Sequence, residues 1–124
     1  MTYDYSREGA GPNSPIYWWY KTLFNLVAPD QRGNNTLLNK LLFGVNFYGY
    51  DYANNGKKEA ILGSKYLEIL NKYKPQFEWE ESSHEHKLEY KDKSVSHTVY
   101  FPTPLFLQDR VNFATQSSCG IAIW

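Results

Sequence analysis

The chain has 124 residues, of which 42% are hydrophobic and 21% charged, so it has the apolar content to form a core and is not a disordered polymer. Thirteen basic residues balance thirteen acidic ones, which leaves no net field to steer the chain onto nucleic acid or anionic lipid. The longest apolar run, Leu37 to Phe47, is interrupted by Asn39, Lys40, Gly44 and Asn46, and falls short of the ~20 residues that span a bilayer.

Met1 to Asp4 reads as the end of a buried strand opening into a polar site. Core-like segments at both ends, here and at Gly120 to Trp124, lead to the expectation that the chain is a piece of a larger sheet. A Gly-rich polar loop, Ser6 to Asn13, follows. Ser14-Pro15 is a helix start, with serine as N-cap and proline at the first helical position. Ile16, Trp19, Tyr20, Leu23, Phe24 and Val27 then recur at helical spacing, and Pro29 closes the helix. Leu41 to Tyr48 is a mostly apolar run without alternation, the pattern of a strand buried on both faces of a parallel sheet. Asn34-Asn35-Thr36 is a glycosylation sequon, a mild pointer to secretion. No signal-peptide pattern is present, and a lone cysteine does not report the redox compartment.

The pattern then changes. Ser64 to Lys74 is a short helix stopped by Pro75. Beyond it, Phe77 and Trp79, then His84, His86, Leu88 and Tyr90, then Val95, His97, Val99 and Phe101 alternate with polar neighbours. This predicts a half-exposed antiparallel meander with its clearest turn at Lys91 to Ser94. Thr103-Pro104 starts another helix, with Leu107, Val111 and Ala114 on its buried side, and Gly120 to Trp124 is a last strand. The order is β-α-β, an α+β lobe over residues 64–101, then α-β. The fold class is therefore α/β: part of a (β/α)8 barrel interrupted by an insertion lobe.

In such barrels the site sits at the carboxyl ends of the strands. Tyr3-Asp4, Tyr48-Gly49 and Trp124 would meet there. Eighteen per cent of the chain is aromatic, with 11 Tyr and 4 Trp, and rings that are not core can stack on the C–H faces of sugars. Tyr48 and Tyr50 also suit rim or packing positions, and Trp124 suits core as well as site. His84 and His86 share a strand face, with His97 opposite. Without a Cys or a third well-spaced ligand they read as meander residues, so no metal and no cofactor is expected. Cys119 has no His partner nearby and reads as an inert, buried thiol.

The motifs, taken in order, resemble glycoside hydrolase family 18, the chitinase family. Met1-Thr2-Tyr3-Asp4 is similar to the family's M-x-Y-D on the sixth barrel strand. Phe43 to Gly49 resembles the seventh strand, where chitinases carry G-x-P-x-Y-G-R; here Asn46 replaces the proline and Tyr50 the arginine. Residues 64–101 resemble the insertion after strand seven, and Gly120 to Trp124 the eighth strand. The resemblance implies that Tyr3 hydrogen-bonds a substrate N-acetyl carbonyl, that Asp4 binds a sugar hydroxyl or orients that group, that Tyr48 is a substrate contact, and that Trp124 stacks under a sugar ring. In family 18 the substrate's own acetamide is the nucleophile, and a carboxylic acid still protonates the leaving oxygen. That acid closes D-x-x-D-x-D-x-E, a spacing absent among Asp4, Asp30, Asp51, Asp92 and Asp109. No catalytic residue is therefore assigned. The resemblance implies binding of N-acetylated oligosaccharide such as chitin fragments, a secreted or lysosomal setting and a scavenger-receptor-type protein partner. The alternative it leaves open is the carboxyl-terminal part of an active hydrolase.

Overall fold

The structure is a computed structural model and describes all 124 residues. Its elements form two units, a body of helices on a parallel strand pair and an antiparallel lobe.

In the body, β1 (Leu42–Val45) and β7 (Gly120–Ile123) pair in parallel, with Phe43 opposite Ile121 and Val45 opposite Ile123. Helices α1 (Ile16–Leu26) and α4 (Pro104–Gln116) cover one face of this pair. Ile16, Trp19, Phe43, Val45, Phe106 and Phe113 form the core between them. Trp19 stacks on Phe43 at 5.3 Å and meets Phe113 edge-on at 5.5 Å. A 3₁₀ turn (Pro29–Gln31) and a one-turn helix α2 (Asn35–Leu38) connect α1 to β1.

The lobe is a five-stranded antiparallel sheet in the order β3-β2-β6-β5-β4, comprising β2 (Gly49–Ala53), β3 (Lys58–Ile61), β4 (Phe77–Glu80), β5 (Glu85–Asp92) and β6 (Val95–Tyr100). Helix α3 (Gly63–Tyr73) closes one face over Ile61, Tyr66, Ile69, Leu88 and Val99. It ends where Lys74 turns left-handed, at φ +46°, just before Pro75. The β5–β6 hairpin turns through Lys93-Ser94, as expected.

Several expectations change. No closed or curled barrel is formed; the parallel part consists of two strands. Met1 to Asp4 is not a strand. Thr2 reaches β1 through its hydroxyl, which donates to the Gly44 carbonyl at 2.7 Å, and Asp4 at φ +63° turns the backbone away before a ladder can form. The lobe begins at Gly49 rather than Ser64, because the weakly alternating segments on either side of Asn54-Asn55-Gly56 pair as a hairpin. Ser14 is not the cap of α1. Pro15 holds that position, and the Ser14 hydroxyl instead donates to the Thr2 carbonyl and accepts from the Trp19 indole at 2.8 Å. In α4 the buried side is Phe106, Arg110, Phe113 and Ala114; Val111 faces solvent. Tyr20 and Phe24 of α1 are also exposed, so its buried stripe is narrower than its apolar one.

Body and lobe are joined by two buried charges. Arg110 is 0% exposed, and its guanidinium donates to the carbonyls of Ser14 (2.5 Å), Ser83 (3.0 Å), His84 (2.6 Å) and Phe106 (3.3 Å). Glu85, 2% exposed at the start of β5, accepts the backbone N–H groups of Asn13 (3.1 Å) and Ser14 (2.7 Å). Strand alternation assigns Glu85 to the polar face of the meander. At this end that face packs on the start of α1, and the Ile16 N–H donates to the Ser83 carbonyl at 2.9 Å. Burial pushes Glu85 up to about 7, against the opposing pull of Arg110 and the two N–H donors; it lowers Arg110 to about 10.

Candidate functional site

Asp4 is the centre of the candidate site. The residue is strained in the left-handed region, and its geometry is held from both sides. Its backbone N–H donates to the Asn13 side-chain oxygen at 2.7 Å. Its carboxylate Oδ1 accepts from two phenols, Tyr48 at 2.6 Å and Tyr50 at 2.9 Å. Both are O–H donors to a charged acceptor, the stronger class of hydrogen bond. Burial, then the neighbouring Asp4 carboxylate, raises the pKa of each phenol, so both stay protonated donors. The other carboxylate oxygen makes no hydrogen bond to the chain.

The supports come from separate elements. Tyr48 lies between β1 and β2, and its carbonyl accepts from the Asn46 side chain at 2.7 Å and the Asn13 side chain at 3.4 Å. Asn46, where the chitinase pattern has proline, is fully buried. Its amide N–H₂ fixes the Tyr48 backbone, while its Oδ1 has no partner. Asn13 is positioned in turn by Glu85 of the lobe, so a carboxylate far from Asp4 in sequence sets the loop that holds it.

Tyr3 is buried, with its ring over Gly44; a Cβ at that glycine would sit 2.8 Å from the ring, so no other residue fits beneath it. Tyr3 meets Tyr48 edge-on at 6.3 Å, and Tyr48 meets Tyr50 edge-on at 5.6 Å. The Tyr3 hydroxyl makes no hydrogen bond to the chain. Trp124 extends the β1–β7 ladder: its N–H donates to Val45 at 2.8 Å and its carbonyl accepts from Phe47 at 2.7 Å. It sits at the carboxyl end of the parallel pair, with its residue 73% exposed.

Of the four residues singled out from sequence, the fold brings Tyr3, Asp4 and Tyr48 into one cluster and sets Trp124 at the same end of the strands. Tyr50, read there as rim or packing, is a direct partner of Asp4. Asn13, Asn46 and Glu85 were missed; for Asn46, its place in the proline position was the available signal. The three histidines lie apart in function, each on its own partner: His84 on Asp109 (2.7 Å), His86 on Thr103 (2.8 Å) and His97 on Asp51 (2.8 Å). The Cys119 thiol is partly buried, contacts the Ser117 carbonyl, and is raised in pKa by that burial.

The cluster can accept hydrogen bonds through the free Asp4 oxygen and offer aromatic faces beside it, a combination suited to a polyhydroxylated ligand. No protein-family model matches the chain. Among solved structures, the spore cortex-lytic enzyme SleL of Bacillus cereus superposes with a TM-score of 0.82 at 23% identity, over 100% of this chain and 30% of that one. A chitinase of Chromobacterium violaceum gives 0.83 at 18%, covering 100% and 38%. The class V chitinase of Nicotiana tobaccum gives 0.69 at 14%, covering 100% and 42%. The fold is thus that of chitinase-like structures, and the chain spans less than half the length of each of these three.

Proposed function

We propose that residues 1–124 form the carboxyl-terminal part of a family 18 chitinase-type unit, corresponding to barrel strands six to eight with the lobe as insertion, and that they bind N-acetylated oligosaccharide. The observation that carries this reading is the Asp4 carboxylate, with one oxygen held by Tyr48 and Tyr50 and the other free, next to Tyr3, with Trp124 at the same end of the parallel pair. In this reading the free Asp4 oxygen accepts a sugar hydroxyl or amide N–H. The unpaired Tyr3 hydroxyl donates to the acetamide carbonyl, and the exposed Trp124 ring takes the apolar face of a pyranose. Tyr50, standing where the chitinase pattern has arginine, holds the Asp4 carboxylate with a phenol and leaves its charge in place.

The chain by itself is a binding unit in this proposal, because D-x-x-D-x-D-x-E does not occur in it and no carboxylic acid is assigned to the leaving oxygen. The second reading, part of an active hydrolase whose acid lies on another strand, is favoured by the chitinases and the cortex-lytic enzyme among its structural neighbours. A secreted or lysosomal setting, and a scavenger-receptor-type partner, are further parts of the proposal and rest on the family resemblance and the Asn34 sequon.

Titration of the chain with a chito-oligosaccharide, followed by tryptophan fluorescence and calorimetry, tests it. Binding should weaken about tenfold or more in Asp4→Asn and less in Tyr50→Phe, as expected for loss of a charged and of a neutral hydrogen-bonding group. No saturable binding by the folded chain would overturn the reading. Turnover of a chromogenic chitobioside by the pure chain, abolished by Asp4→Asn, would replace it with the enzymatic one.

A further inference from the structure

Beside the Asp4 cluster, the β2–β3 hairpin and the loop after Tyr5 enclose an open hollow of about 460 Å³. Arg7, Lys57 and Lys58 line it, together with Tyr52, Asn54 and Thr98, and no carboxylate does. A chain of zero net charge thus gathers three cations around one concavity. Two of them differ in how they are held. Lys58 is fixed: its Nζ donates to the Ser6 carbonyl at 3.0 Å and lies 3.8 Å from the centre of the Tyr50 ring. Arg7 is exposed and makes no hydrogen bond or ion pair within the chain, so its guanidinium has all its donors available. The one ion pair made by the lining cations, Lys57 to Glu59 at 3.6 Å, joins two exposed side chains and is weak.

Tyr50 joins the two places. Its hydroxyl binds Asp4, and its ring carries Lys58. A ligand held at Asp4 therefore has a cationic hollow one ring away, with guanidinium geometry suited to the planar or tetrahedral oxygens of a carboxylate or sulfate. Asp4 itself repels anions, which separates the roles: neutral polar groups at Asp4, an anionic substituent over Arg7 and Lys57.

We propose that this hollow is a subsite for an anionic substituent of the glycan, so that the preferred ligand is an acidic oligosaccharide, sulfated or carboxylated, rather than a neutral one. This rests on the sugar-binding reading above and names its substrate class.

The test compares a neutral chito-oligosaccharide with its O-sulfated counterpart of the same length, titrated by calorimetry into the wild-type chain and into Arg7→Gln/Lys57→Gln. A thermal scan of each variant checks that the fold is intact. Two exposed charge contacts should favour the sulfated ligand by about tenfold at low salt, with the advantage shrinking as salt screens it. The double variant should lose the advantage and keep its affinity for the neutral sugar, and Arg7→Lys/Lys57→Arg should restore most of it. Equal affinity for the two glycans in the wild type would overturn the anionic subsite and leave the sugar-binding reading standing. So would a sulfated-ligand preference unchanged in the double variant. Sulfated binding that depends on Arg7 and Lys57, with no neutral binding at all, would support the subsite and remove the sugar-binding reading. Absence of both would remove both.

Discussion

The body and the lobe solve the same problem in opposite ways. Three of the lobe's four strand pairings, β2–β3, β4–β5 and β5–β6, are hairpins between consecutive strands, a single longer-range pairing of β2 with β6 joins them, and α3 covers the sheet from within the same segment. The body joins β1 to β7 only after the entire lobe and α4 have been threaded between them. Its pair keeps two unpaired edges and leaves Leu42 and Ile123 exposed at 66% and 64%. Local pairing closes a sheet at low entropic cost, whereas distant parallel pairing depends on what packs across it. The contrast also explains why buried charges help to unite the units. Arg110 and Glu85 satisfy the backbone groups of a turn and a helix start that no ladder reaches.

The widest expected difference is in amide exchange. Protection of β5 and β6 should exceed that of β1 and β7 by several kcal/mol of opening free energy, of order the gap between global and local opening. Hydrogen–deuterium exchange resolved by NMR or mass spectrometry reads it. Equal protection would mean the two units open as one and would dissolve the comparison.

Next in size is the bond between them. Arg110→Met removes the donor to four carbonyls while keeping much of the volume; the unsatisfied carbonyls and uncompensated Glu85 should cost about 3–5 kcal/mol. Urea unfolding should show the body lost first, with the lobe's signal persisting. A single transition shifted by less than about 1 kcal/mol would show that the guanidinium is not the joint.

Glu85 sharpens the same point through pH. Its folded pKa, near 7, is raised above the unfolded carboxylate value of about 4.3. The folded state therefore holds the proton more tightly. The stability this contributes is complete below about pH 4 and is lost as pH rises through the window up to about 7. The loss is on the order of 3 kcal/mol. Glu85→Gln should abolish that slope. Denaturation at pH 5 and pH 7.5 in both proteins decides it, and an unchanged slope in the variant would assign the titration elsewhere.

The smallest effect is at the junction residue Gly49. A Cβ there would press on the Tyr100 carbonyl and lie 2.7 Å from the Phe101 ring. Gly49→Ala should cost about 1–3 kcal/mol by overpacking, and should loosen the β2–β6 pairing more than β5–β6. A neutral substitution would show that β2 can shift against β6 without loss.

Short-range signals were legible in the sequence. Alternation marked β5 and β6, Thr103-Pro104 marked the start of α4, with Thr103 accepting from the Phe106 N–H, and Pro75 marked the end of α3. These depend on backbone rules that act within a few residues. Asp4 and Tyr48 were legible as site candidates through their ordered motifs. Their meeting was not, since it depends on the loop geometry that Asn13 and Glu85 impose.

What the amino-acid sequence determined by itself was the set of elements whose period and caps are local. Tertiary structure alone decided which polar residues are interior. Arg110 and Glu85 look like solvent-facing charges by type and by spacing, and both are buried because the start of α1 lies against the β4–β5 turn. Met1 to Asp4 has strand-like residues and is not a strand, because strand character requires a paired neighbour and Thr2 reaches β1 with a side chain instead. Burial and pairing are properties of what stands opposite a residue, and that is set only when distant segments meet.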